Sequence, residues 1–193
     1  KGGFAFEESL KVAQWLQEAS IDLIEISGGT YEQPKLLGMT GMEEEEQQNV
    51  AQSTMMREAY FMDFAIAMRK KVSVPLMVTG GFRQCAAMEQ ALDSGGADII
   101  GLGRPMCVMT DAPNQLMAGL GELPRYEDSL SLFPGWLAWL GNLKVLKALA
   151  GFAVQYWFYG QIDSIGRTGL ADPQLTVFAA TKKTMAMQKE LTR

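Results

Sequence analysis

The chain has 193 residues, 48% of them hydrophobic, a formal net charge of −5 and no histidine. That apolar share is enough for an ordinary core and excludes intrinsic disorder, while the acidic balance argues against a nucleic-acid partner, which requires a basic face. Without histidine, imidazole acid–base catalysis and histidine metal sites are excluded within this chain. Cys85 and Cys107 are its two thiols and have no CxxC spacing, so neither a disulfide framework nor a metal site is expected. A reducing compartment, and so a cytoplasmic location, is the expectation. The chain opens at Lys1 on "GGF", with no Met, charged n-region or signal core, and is expected to be cut from something longer.

In chain order, residues 7–19 read as an amphipathic helix: Leu10, Ala13 and Leu16 recur at helical spacing, and Glu7 and Glu8 suit the N-terminal dipole. "IDLIEIS" (21–27) reads as a strand, and the Gly-, Pro- and Thr-punctuated stretch from Gly28 as a loop. The run 43–46 reads as a solvated face or helix start. Residues 54–71 carry a long helical pattern, "VPLMVTG" a second strand, 84–94 a helix ended by Gly95-Gly96, and "ADIIGLG" (97–103) a third strand. Near-continuous apolar strands alternating with helices predict a parallel sheet covered on both faces.

After Pro105 one or two short helices are expected, then the most hydrophobic part of the chain, 133–162. Lys144 and Lys147 interrupt it, and its uncharged run from 148 to 162 is too short for a span of about 20 residues. It is expected to form a helix docked on the barrel wall or on a partner, with at most weak peripheral membrane association. A last amphipathic helix is expected over 173–191.

Each strand ends in glycine: Gly28-Gly29, Gly80-Gly81, and Gly101 with Gly103. Ligands of parallel α/β folds bind at the carboxyl ends of strands, and loops after the last two strands of a (β/α)8 barrel often hold phosphate. Glycines lacking Cβ let backbone N–H groups approach phosphate oxygens, helices starting near Gln84 or Pro105 would offer more of them, and Arg104 adds a permanently charged planar fork. Turn chemistry alone also puts glycine after strands, and an arginine there can instead pair with a surface carboxylate.

The stretches "DLIEISGGTYEQP", "VPLMVTGGFR" and "ADIIGLGRPM" resemble strands six, seven and eight of the old yellow enzyme family of FMN-dependent NAD(P)H:flavin oxidoreductases. The resemblance covers about 2–126, and "YGQIDSIGRTGLADPQLTV" resembles the C-terminal extension of one branch. Barrels of the inosine-monophosphate and dihydroorotate dehydrogenase types follow strand eight with a glycine and a small residue; Arg104 after Gly103 favours the old yellow enzyme likeness. The region "RYEDSLSLFPGWLAW" has no cysteine for the iron–sulfur motif that another branch carries there.

The resemblance implies an α/β fold: about three βα units of a TIM (β/α)8 barrel over residues 1–126, followed by a helical extension over 127–193. It implies that Gly80 and Gly81 lie against the FMN ribityl phosphate, that Gly103 and Arg104 hold that phosphate, and that Phe82 packs near the flavin. Ser27, Gly28, Gly29 and Tyr31 would face the substrate side. The implied reaction takes hydride from NAD(P)H through flavin to an activated alkene or similar small-molecule acceptor. The family's substrate-binding pair and proton-donating tyrosine lie in the N-terminal half of the barrel. No catalytic residue is therefore assigned here, and the isolated chain is expected to be inactive without that half. The alternative is a non-catalytic half-barrel that binds a phosphorylated ligand.

Overall fold

In the computed structural model, residues 5–27, 62–133 and 144–191 are described. They form two compact units. One comprises residues 5–27, 62–103 and 116–123; the other comprises 104–115, 124–133 and 144–191.

The first unit is built on three short strands, β1 (Ile24–Ser27), β2 (Leu76–Thr79) and β3 (Ile99–Gly101), paired in parallel in the order β1-β2-β3. The helices are α1 (Phe6–Glu18), α2 (Met62–Arg69) and α3 (Cys85–Asp93). The alternation of helices and strands therefore appears as predicted, with strands shorter than the apolar runs. The run 43–46 and residues 54–61 of the expected long helix lie outside the described residues.

Paired residues of a parallel sheet share a face, so the register sorts the side chains. Ile26, Leu76 and Val78 are buried on one face, Leu76 and Val78 to 0% and 1% exposure. On the other face Glu25, Ser27 and Ile99 are exposed. The expectation of a sheet covered on both faces is thus corrected: among the described residues one face is covered and the other is open. Periodicity misled because Met77 and Ile99 keep the strands apolar on the open face too.

The covered face is closed by the helices. Leu10 and Ala13 of α1 and Met62, Ala65 and Met68 of α2 are buried, and the rings of Phe6 and Phe64 meet edge-on at 4.9 Å. Gly96 has to be glycine: a Cβ there would lie 2.7 Å from Ile66 Cγ1. Polar side chains then fix where β2 begins. Gln17 Oε1 accepts the backbone N–H groups of Ser73 (2.6 Å) and Val74 (3.1 Å). Asp98 Oδ2 accepts the Leu76 N–H at 2.8 Å and pairs with Arg69, whose Nη1 donates to the Val74 carbonyl at 3.0 Å. The Leu76 N–H bond, opposed by a smaller desolvation effect and aided by Arg69, holds the Asp98 carboxyl below the usual carboxylate range.

The second unit is helical. It holds the 3₁₀ turn Arg104–Cys107 and shares the short helix α4 (Ala112–Met117) across its boundary; α5 is Tyr126–Ser129, α6 is Lys144–Thr168 and α7 is Val177–Leu191. Its core joins Ala153, Trp157 and Phe158 of α6 to Val177 and Ala180 of α7. Gly160 packs closely under the connection and α7: a Cβ there would sit 2.6 Å from Leu175 Cδ2 and 3.4 Å from the Ala180 Cβ. The described part of the 133–162 segment pairs with α7 within this unit. No helix among the described residues is long and apolar enough to cross a membrane.

The connection between α6 and α7 is held from α6. Gln161 is 1% exposed; its Nε2 donates to the Asp172 carbonyl (2.9 Å) and its Oε1 accepts the Asp172 N–H (2.7 Å). Trp157 Nε1 donates to the Leu175 carbonyl at 2.7 Å. Asp172 Oδ1 accepts the Gln174 N–H, and Thr176 Oγ1 accepts the Ala179 N–H. These bonds keep 173–176 out of the last helix, which starts at Val177 and not at Pro173 as predicted.

Two outcomes are expected. Asp98→Ala should cost about 1 kcal/mol, less than the ~2 kcal/mol of a charge-assisted hydrogen bond because the pair is partly solvent-screened. Since the folded-state pKa is depressed, this contribution is present above the reference value of 3.8 and is lost as pH falls through the folded value. Denaturant midpoints of Asp98→Ala and the unaltered protein should therefore converge in acid. Gln161→Leu leaves both Asp172 backbone groups without their partner and should cost about 2 kcal/mol, read as a lowered urea midpoint.

Candidate functional site

Parallel pairing brings the three strand ends out together. Ser27 is paired with Thr79 and Thr79 with Gly101, so these residues form one row at the carboxyl edge of the sheet. Gly80 and Gly81 follow Thr79 directly. Gly81 has φ 79°, in the left-handed region where glycine is favoured, so the turn itself calls for a glycine there. Gly103 is exposed, and a Cβ built on it would meet nothing within 4 Å.

The turn after Gly81 is tied down by residues 119–123. Gln84 and Glu122 form an antiparallel bridge, the Cys85 N–H donates to the Gly121 carbonyl at 2.9 Å, and the Leu123 N–H donates to the Arg83 carbonyl at 2.8 Å. This corrects the expectation that the helix start near Gln84 offers a free first amide: the Cys85 N–H is already engaged. The 3₁₀ turn Arg104–Cys107 is one turn long and lacks the aligned peptides of a longer helix.

Other expected site residues fall as follows. Phe82 is 1% exposed, so its ring belongs to the protein core. Ser27 is exposed at the end of β1 on the open face. Gly28, Gly29 and Tyr31 lie outside the described residues. Arg104, within the helical unit, points Nη1 at Glu127 Oε1 at 2.9 Å. The carboxylate pairing weighed from sequence is therefore present, and any anion at Arg104 must share the guanidinium with Glu127 or displace it.

Around Arg104 the environment discourages thiolate and phenolate chemistry. Burial pushes the Cys107 thiol up, against a smaller opposing pull from Arg104. Burial, with the nearby Asp111 charge, also pushes the Tyr126 phenol up. The helical unit has in addition an open groove of about 680 Å³ bordered by Phe152, Tyr156, Phe178 and Met185. Its lining is almost wholly apolar and brings no set of polar groups together, so it lacks the features of a catalytic pocket.

Three residues escaped the sequence reading. Thr79 ends an otherwise apolar strand, and that hydroxyl just before two glycines was the available signal. Arg83 is 5% exposed and donates from Nη1 to the Phe82 carbonyl at 2.9 Å, a buried arginine to which the sequence pattern assigns no role. Glu127 had no signal, because its pairing with Arg104 depends on how the chain returns at α5.

No protein-family model matches the chain. It is 34% identical over 166 residues to the NADH-dependent flavin oxidoreductase iccE of Talaromyces variabilis, covering 85% of this chain and 39% of that protein. It is 39% identical over 103 residues to the NADH-dependent flavin oxidoreductase iliE of Neonectria sp. (strain DH2), covering 53% of this chain and 13% of that protein. It is 25% identical over 120 residues to the NADH oxidase of Thermoanaerobacter brockii, 62% of this chain and 16% of that protein. The chain thus spans no more than about two fifths of the length of these curated relatives. All three relatives are NADH oxidoreductases and the first two are flavin enzymes by name: the chain is similar to the old yellow enzyme-like NADH-dependent flavin oxidoreductases.

Proposed function

We propose that this chain is the phosphate-holding part of an FMN-dependent oxidoreductase, supplying strands six to eight of a TIM barrel from residues 1–126 and a helical extension from 127–193. The row Ser27–Thr79–Gly101, with Gly80-Gly81 directly after Thr79, is the observation that carries this reading. It is supported by the left-handed turn at Gly81, where glycine is favoured. The sheet face left open among the described residues is what one would expect if other strands of a barrel enclosed it.

Bound FMN would take hydride from NAD(P)H and deliver it to an activated alkene or similar acceptor. The chain's own part is to bind and orient. Backbone N–H groups of Gly80, Gly81 and Gly103 serve phosphate oxygens, since glycine allows the closest approach. Arg104 balances the phosphate charge with a fork that suits two oxygens at once. Glu127 holds that fork in one orientation before the phosphate arrives, at the cost of competing for it. Ser27, Gly28, Gly29 and Tyr31 border the substrate side. Proton transfer to the acceptor is left to residues outside this chain, so the isolated 193-residue chain has no turnover.

The test is FMN affinity of the full-length gene product carrying Arg104→Ala. Loss of a charge-assisted bidentate contact should weaken binding about 10- to 100-fold. Arg104→Lys, which keeps the charge and loses the fork, should fall between the two. Unchanged FMN affinity in both variants would overturn the assignment of Arg104 to the phosphate.

A further inference from the structure

We infer that the Thr79 hydroxyl is a direct contact to the ribityl-phosphate arm of the flavin, and that Gly101 is glycine to make room for that hydroxyl. The inference rests on the flavin reading above and adds a side-chain contact to its backbone clamp.

Two observations meet at one level of the sheet. Thr79 Oγ1 is buried and has no hydrogen-bond partner among the described residues. Its register partner on β3 is Gly101, where a built Cβ would overlap Thr79 Oγ1 and lie 2.8 Å from Thr79 Cβ. The hydroxyl thus occupies the space that any other residue at position 101 would fill. Both features are unfavourable for the protein alone. A buried hydroxyl without a partner costs about 1–3 kcal/mol, and glycine inside a strand costs about 0.5–1 kcal/mol. Valine at position 79 would have the same shape and equal liking for a strand, and would avoid the first cost.

An acceptor supplied from outside the protein removes the first cost and gives a reason for bearing the second. Thr79 is the last paired residue of β2, directly before Gly80-Gly81 and on the open face of the sheet with Ser27. Phosphate and ribityl oxygens are acceptors of the required kind, and a threonine hydroxyl can donate to either. The glycine backbone groups would then hold the phosphate charge, and the Thr79 hydroxyl would fix the position of the arm against the strand ends.

The test compares Thr79→Val and Thr79→Ser with the unaltered full-length gene product, in two measurements. The first is the urea midpoint of the cofactor-free protein. The second is FMN binding followed by quenching of flavin fluorescence. The expected result is a midpoint for Thr79→Val equal to or above that of the unaltered protein, with FMN binding about tenfold weaker. Thr79→Ser, which keeps the hydroxyl, should bind within about threefold of the unaltered protein. A lowered midpoint for cofactor-free Thr79→Val would show that the hydroxyl already has a partner and would overturn the inference. So would FMN binding by Thr79→Val as tight as that of the unaltered protein. Failure of the unaltered protein itself to bind FMN is a separate result: it overturns the flavin reading and this contact with it.

Discussion

The parallel pairing of β2 on both of its edges is the constraint on which the site depends. Parallel neighbours must all point the same way, so their carboxyl ends emerge at one edge, and the register then sets Ser27, Thr79 and Gly101 level with one another. The strand-end part of the proposed site follows from that row. The glycines after Thr79 matter because they lie where the strand has just ended, and Gly101 matters because it shares a level with Thr79. The pairing is secured at the other end of β2 by polar side chains. Gln17 reaches the backbone of Ser73 and Val74, and Asp98 reaches that of Leu76, so a slip by one residue would break several bonds and turn Leu76 and Val78 to the open face.

The helical unit obeys a different logic. Its residues 144–168 carry too few charges for a solvated helix and too little unbroken apolar length for a membrane span, and they resolve this by burying Ala153, Trp157 and Phe158 against α7. The turn between the helices is held by Gln161 and Trp157. Arg104 and Glu127 belong to this unit, while Gly80, Gly81 and Gly103 belong to the first.

Much of the first unit was legible because its signals are local. Helical spacing at Leu10 and Ala13, apolar runs of strand length and the glycine stops are all read within a few residues, and the helices begin and end close to the predicted limits. The open face of the sheet was not legible, since Met77 and Ile99 are apolar whichever way they point. The start of α7 was missed because Pro173 is as suitable for a first helical turn as for the loop it occupies, and only the bonds from Gln161 decide between them. Within the site, glycines announce themselves, whereas the Arg104–Glu127 pair and the fit of Thr79 against Gly101 arise from register and chain return. Such relations join residues 22 or more positions apart and carry no local mark.

The most direct measurement is the affinity of the full-length gene product for FMN set against its affinity for riboflavin, which lacks only the phosphate. If the strand ends and Arg104 form a phosphate site, FMN should bind at least about a hundredfold more tightly, the share expected of several charge-assisted hydrogen bonds. Equal affinity for the two flavins would contradict the central claim, for it would mean that the residues after β2 and β3 make no use of the phosphate at all.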